Sequence, residues 1–335
     1  MALPVVILLF VVGSALTWQG SLVLEASAGR LCRRHGVPPL IEGTLVLAAA
    51  SSFPELTATV AAAALHDAAE LGIATIVGSA IFNVLVIPAA AALARKDLRY
   101  DVVLVYRDGQ FYVATVAVML LTFCFAAIYE PVEGAALTGT MTRGLALVPL
   151  AFYGIYLFLQ QQDLRSDEPV ERPAVEGSSL RDGLLLVGSL LAVLGGVEAL
   201  LRVALWMGEA LSTPSALWGG TVIAAVTSIP DLVVSVRAAR RGDGEVAVGN
   251  VLGSNVFDLL VAVPLGALVA GAMVIDLAVV TPLMGALTLA TLALFVMLRT
   301  GPKLSRPESG VLLALYVAFV VWLALEGAGV VSTMG

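Results

Sequence analysis

Charged side chains are scarce in this chain. Only 13% of its 335 residues are Asp, Glu, Lys or Arg, against about 25% in a soluble globular domain. With 59% hydrophobic residues and a mean hydropathy of +0.98, a water-soluble fold is excluded and a polytopic membrane protein is implied. Cysteine is equally sparse. Cys32 lies in a basic stretch and Cys124 in an apolar one, so no disulfide framework is expected. The two histidines, His35 and His66, have no Cys or His spacing that would hold zinc. No glycine-rich phosphate loop and no nucleophile elbow occurs. The net charge of −7 argues against nucleic acid as a partner, and no protein partner or cofactor is implied. No basic residue precedes the apolar run from Leu3 to Leu24, which therefore reads as a first span rather than a signal peptide.

What is present is apolar sequence in lengths that suit a bilayer, about 20 residues each. Ten spans are predicted, at roughly 3–24, 39–65, 71–93, 109–128, 140–159, 183–206, 215–238, 245–271, 275–298 and 310–327. Sixteen of the 18 Lys and Arg follow odd-numbered spans; Arg143 and Arg202 are the exceptions. Basic loops stay in the cytoplasm, so both termini are expected outside. The polar stretch from Gln160 to Asp182, with Pro169 and Pro173, has linker composition and is expected in the cytoplasm. Trp18, Trp206, Trp218 and Trp322 are expected as interfacial anchors.

Two segments repeat. Ser51-Ser52-Phe53-Pro54-Glu55 is matched by Thr227-Ser228-Ile229-Pro230-Asp231, and Gly78-Ser79 with Asn83 is matched by Gly253-Ser254 with Asp258. An offset of 176 residues separates Glu55 from Asp231, and 175 separates Ser79 from Ser254. Five spans per copy is an odd number, so the second half enters the membrane inverted. The predicted fold is all-α, with two inverted five-helix repeats whose broken helices meet at a central ion site. The halves are assigned as 1–162 and 183–335, with a linker over 163–182 and ion motifs at 43–88 and 219–264.

The chemistry of the repeats follows from residue type. An ionised carboxylate at mid-bilayer costs about 2.5–3.5 kcal/mol on insertion scales, and Glu55 has no basic residue within its span. Pro54 lacks an N–H and disturbs the preceding turn. Carbonyls near Ala48 to Ser51 are then expected to face a cavity. A carboxylate among hydroxyls and carbonyls is an all-oxygen nest suited to hard cations such as Ca²⁺ and Na⁺. Taken alone, Glu55 also fits a proline kink holding a protonated, hydrogen-bonded acid; its recurrence as Asp231 favours the ion site. The spacing of Ser79 to Asn83 and of Ser254 to Asp258 stacks each pair on one helix face. Gly78 and Gly253 are expected to permit close helix approach.

These motifs resemble the paired alpha repeats of the calcium/cation antiporter superfamily, of the sodium/calcium exchanger type. They are most similar to the potassium-dependent sodium/calcium exchangers. The stretch Leu98–Val113 with Tyr106-Arg107-Asp108 is similar to that branch's loop between spans 3 and 4. The resemblance implies Glu55 and Asp231 as central ligands. It adds oxygens from Ser51, Ser52, Ser79, Thr227, Ser228 and Ser254, carbonyls of Ala48 and Ala224, and the side chains of Asn83 and Asp258. An acid at the position of Asp258 is the mark of the potassium-dependent branch. The chain departs from the pattern in having Ala49-Ala50-Ser51 where glycine is usual, in lacking a Gly-Asn pair before Gly78, and in lacking a large cytosolic loop.

The expected function is antiport of Na⁺ against Ca²⁺ by alternating access, with K⁺ as a candidate companion of Ca²⁺, in the plasma membrane. A proton-coupled divalent-cation exchanger is the alternative. An intramembrane aspartyl protease using Asp231 and Asp258 is a distant third, because it leaves the duplication unexplained.

Overall fold

The computed structural model describes residues 1–37, 41–95, 98–99, 102–163, 178–299, 301 and 303–333. Most of the 163–182 linker therefore lies outside the described residues. Among those described, eight helices are singly long and apolar enough to cross a membrane, and two sharply bent pairs bring the number to ten.

The first half begins with α1 (Leu3–Arg34), which carries Pro in its first turn and Arg33 and Arg34 in its last, where cations oppose the carboxyl-end dipole. A π-helical segment (Ile41–Leu47) leads into α2 (Ala48–Ser51) and, after a 63° bend, α3 (Phe53–Leu65). Then come α4 (Ala69–Ala94), β1 (Leu98–Arg99), α5 (Val102–Tyr129), β2 (Thr138–Thr142) and α6 (Arg143–Asp163). The second half opens with α7 (Ser179–Leu211). Its broken span is α8 (Ser215–Trp218), a π segment (Gly219–Ile223), α9 (Ala224–Thr227) and, after a 42° bend, α10 (Ile229–Arg241). It continues with α11 (Gly244–Phe257), a π segment (Asp258–Ala262), α12 (Val263–Ala270), β3 (Ala272–Asp276), α13 (Leu277–Arg299), β4 (Lys303–Leu304) and α14 (Arg306–Gly327).

Several boundaries differ from the predicted ones, and the reason is common. Hydropathy marks only the apolar part of a helix, whereas the helix continues into the interface while its backbone bonds are satisfied. Cys32 is thus buried in the last turns of α1 rather than in a loop. Arg107 and Asp108 belong to α5, and Arg181 and Asp182 to the first turns of α7. Asp182 accepts from Arg30 Nε (2.7 Å) and Arg34 Nη2 (3.2 Å), tying α1 to α7. Further along α7, His66 Nε2 lies 2.9 Å from Glu198, which also accepts from Arg202. The bundle is not purely helical. β1 pairs with β4 and β2 with β3, both antiparallel; each ribbon joins a segment of one half to one of the other.

Burial explains the two kinds of helix. The membrane-crossing windows of α4 and of Gly244–Ala270 are 83% buried, those of α6 and α14 only 17%. The former are apolar on all sides because they face protein all round; the latter present Leu147, Phe158, Val317 and Val321 to lipid. At the centre α4 crosses the Gly219–Ile223 segment almost backbone to backbone. A Cβ on Gly78 would stand 2.2 Å from Gly220 O, and one on Gly219 would stand 2.7 Å from Leu71 O. The α1–α7 crossing is similar, with Gly13 against Gly196 O at 2.9 Å. Gly253 differs from the expectation. The nearest atom its Cβ would meet is Tyr156 Oη at 4.0 Å, so it makes no close crossing.

The two glycines should therefore respond differently to one added methyl. Gly78→Ala forces a backbone shift at the crossing and should destabilise the protein by about 1–3 kcal/mol, the usual cost of overpacking. Gly253→Ala should be close to neutral. Thermal unfolding of the detergent-purified variants checks this; equal melting temperatures would refute the tight crossing.

Candidate cation site

Both broken spans are built alike. Ser52 and Ser228 sit at the breaks with φ/ψ of −86°/9° and −81°/−4°. Each still donates its N–H four residues back, to Ala48 O (3.0 Å) and Ala224 O (3.1 Å). Pro54 and Pro230 fall in the first turn of the following helix, where a missing N–H removes no bond inside that helix. The acids follow directly, so Glu55 and Asp231 lie in the first turns of α3 and α10, where helix dipoles favour negative charge. Each broken span carries a π segment just before its break, and such extra-residue turns recur at functional sites.

Among the carbonyls that precede the breaks, that of Ala50 loses its usual helix donor, while those of Ala48 and Ala224 accept bonds from their own segments. Ala48 O accepts from Ser52 N and from Ser51 Oγ (3.1 Å). Ala224 O accepts from Ser228 N, Ser228 Oγ (2.8 Å) and Thr227 Oγ1 (3.2 Å). Proline 54 has no proton for the carbonyl four residues back, which is that of Ala50. Ser51 and Thr227 turn their hydroxyls onto their own helices, so the Ser51 hydroxyl makes no described bond to a side chain of the other site residues. Thr227 nonetheless stands beside the Glu55 carboxyl.

The remaining residues converge in a crossed pattern. Ser79 Oγ lies 3.3 Å from Glu55 Oε1 and 2.8 Å from Ser228 Oγ of the other half. In the same way, Ser254 Oγ donates to Asp231 Oδ2 (2.6 Å) and lies 3.1 Å from Ser52 Oγ of the first half. Each acid is thus held by a serine of its own half, and each of those serines meets the break of the opposite half. Asn83 Nδ2 reaches Asp231 Oδ2 (3.4 Å) and Asn255 Oδ1 (3.0 Å). Asp258 opens a π segment, whereas its repeat counterpart Asn83 sits in the regular helix α4, so the symmetry is broken at that pair.

Every acid here is buried, and no described ion pair reaches Glu55, Asp231 or Asp258. At this centre five buried acceptor oxygens make no hydrogen bond of ordinary geometry, Glu55 Oε2, Asn83 Oδ1, Asp231 Oδ1, and Asp258 Oδ1 and Oδ2, although Ser52 stands beside the Asp258 carboxyl and Asn250 beside that of Asp231. Hard oxygens left bare in a low-dielectric interior call for a cation. Among the described residues no three Asp, Glu, His or Cys side chains are close enough to share one metal ion. The arrangement suits several ions held by separate subsets of ligands.

Two residues outside the expected set complete the centre. Asn255 Nδ2 donates to Ala80 O (3.2 Å) and to Tyr112 Oη (3.0 Å). Its repeat counterpart is Ala80, so a search for matched polar pairs passes over it; an Asn in an apolar span was the available signal. Tyr112, fully buried on α5, carried no sequence signal.

A family model described as sodium/calcium exchanger protein matches residues 5–161 and 183–325. The sodium/calcium exchanger MaX1 of Methanosarcina acetivorans is 27% identical over 94% of this chain and 97% of its own length. Inner membrane protein YrbG of Escherichia coli is 31% identical over 95% of each chain. The human sodium/potassium/calcium exchanger 5 is 46% identical, but over 19% of this chain and 14% of its own. Among solved structures, the sodium-calcium exchanger NCX_Mj soaked with 100 mM Na⁺ and 10 mM Sr²⁺ superposes with a TM-score of 0.59 at 26% identity, covering 96% of this chain and 99% of that one.

If the bare oxygens are a cation site, ions will stabilise the fold through them, because a ligand that binds only the native state raises its stability. Ca²⁺ should raise the unfolding temperature of the purified protein. Glu55→Gln and Asp231→Asn, which remove one anionic ligand each without changing size, should abolish most of that rise while yielding folded protein. A rise of wild-type size in either variant would make that acid structural.

Proposed function

The chain belongs to the sodium/calcium exchanger protein family, and on that footing we propose that it is a secondary antiporter moving Ca²⁺ against Na⁺ through the crossed centre of Glu55, Ser52, Ser79, Asn83, Asp231, Ser228, Ser254 and Asp258. The observation that carries this reading is the set of five buried oxygens on four residues without an ordinary hydrogen bond, none of which is met by a cationic side chain among the described residues. The proposed halves are 1–162 and 183–335. Ser51, Thr227 and the carbonyls of Ala48 and Ala224 join as ligands if their present backbone bonds give way.

Electrostatics supply the coupling. With all three acids ionised the centre carries three negative charges, which Ca²⁺ with one monovalent cation, or several Na⁺, would balance. A loaded centre crosses an apolar barrier at low cost; an empty one exposes uncompensated charge at about 2.5–3.5 kcal/mol per residue on insertion scales. Transport then proceeds only when one set of cations replaces another. The burial of the whole centre fits an occluded step between the two open ones. The chemistry is exchange of ligands without bond making.

Reconstituted protein should accumulate Ca²⁺ when an outward Na⁺ gradient is imposed. Uptake driven equally by a pH gradient without Na⁺ would instead favour the proton-coupled reading. Asp258 is the proposed partner of K⁺, a large and weakly hydrated ion that one carboxylate with neutral oxygens accommodates. K⁺ on the Ca²⁺ side, with choline as the control ion and voltage clamped, should speed initial uptake. Asp258→Asn should slow exchange and remove the response to K⁺. A flat K⁺ response in the wild type rejects potassium coupling.

The proposed orientation in the cell membrane has both termini outside and the linker in the cytoplasm. In a cysteine-free background, cysteines at Glu133 and Glu209 should label from outside in intact cells, and one at Arg240 should not. External labelling at Arg240 overturns this orientation.

A further inference from the structure

An amide side chain has one oxygen end and one N–H end, and only the former can ligate a cation. Asn83 must therefore be held one way round. The geometry points to Asn255 as the residue that holds it, a positioning role that rests on the cation-site reading above.

The orientation is anchored at a group that has no choice. Ala80 O is a backbone carbonyl and can only accept, so the side of Asn255 facing it at 3.2 Å must be Nδ2. That places Asn255 Oδ1 on its other side, where it accepts from Asn83 Nδ2 at 3.0 Å. With its N–H end engaged there and towards Asp231 Oδ2, Asn83 is left with Oδ1 buried and bare. The second proton of Asn255 goes to Tyr112 Oη at 3.0 Å, which pins the chain of amides to α5. All four residues are buried, so no bulk water competes. Ala80 and Asn255 occupy equivalent positions of the two repeats. The anchor therefore joins the two halves across the centre, and a polar side chain is needed on only one of them.

The test separates orientation from mere packing. Asn255→Leu keeps the branched shape, at somewhat larger volume, but removes the acceptor, freeing Asn83 to turn its N–H end toward the cations. Half-saturating Ca²⁺, measured by equilibrium binding to purified protein and by Na⁺-driven flux, should rise by about tenfold, the loss of one good ligand. Asn83→Asp has oxygen at both ends and no orientation to police. In that background, Asn255→Leu should shift Ca²⁺ binding by less than about twofold, since a coupling absent from the cycle means an interaction absent from the protein. Tyr112→Phe should give a smaller shift than Asn255→Leu, because Ala80 O still fixes the amide. If Asn255→Leu does not fold, Asn255→Ala replaces it in both backgrounds. An unchanged affinity in the single variant, or an equal factor in both backgrounds, would overturn the inference. Wild-type protein that binds Ca²⁺ but shows no Na⁺-driven flux would refute the antiport reading while leaving the cycle to decide this one.

Discussion

Three carboxylates lie at the centre of a membrane bundle with no cationic side chain against them among the described residues, and the architecture around them serves that constraint. Water would relieve the charge but is excluded by burial; an arginine or lysine would neutralise it permanently and leave nothing to exchange. On the proposed reading, mobile cations are the counter-charge, and their replacement by others turns a buried electrostatic problem into obligatory exchange.

The helices bring their polar ends to that centre by breaking. A continuous helix satisfies its own backbone and carries side chains past one another at a fixed spacing. The bends at Ser52 and Ser228 instead set Glu55 and Asp231 in first turns pointing inward, where the dipoles of α3 and α10 favour their charge. The crossed serines then lock each acid to its own half and each half to the other's break. Such a centre demands that α4 and the Gly219–Ile223 segment approach nearly backbone to backbone, which Gly78 permits. α1 and α7 lie to one side, joined by their own glycine crossing and by Asp182 with Arg30 and Arg34. His66 and Glu198 link α7 to the end of α3.

The pseudo-symmetry is most informative where it fails. Glu55 and Asp231 are near equivalents, as are Ser79 and Ser254. Asn83 and Asp258 are not: one is neutral and must be oriented, the other is charged and needs no orientation. Asn255 stands where the first repeat has Ala80, and the two meet. A centre with one acid fewer in one half carries a different total charge from a symmetric one, and so selects a different complement of ions.

Much of this was legible without coordinates, since it depends on composition and period. Bilayer thickness translates into span length, so ten spans could be counted, and the basic bias follows from the chain's own arginines. The duplicated Pro-acid segments marked the centre because an unpaired carboxylate in an apolar span has few structural excuses. What the sequence could not decide was which oxygens are spent and which are bare. The carbonyls of Ala48 and Ala224 accept hydroxyl and amide protons of their own segments, and Ser51 turns its hydroxyl onto Ala48; these contacts depend on rotamers and on a bend angle set by packing against other spans. Asn255 and Tyr112 acquire their roles from partners more than a hundred residues distant in the chain. The sequence by itself determined the membrane class and pointed to two matching Pro-acid segments, because those rest on residue type and spacing. Only the tertiary structure decided the direction of each hydrogen bond at the centre, because an amide or hydroxyl has no preferred orientation until its neighbours from other helices are in place.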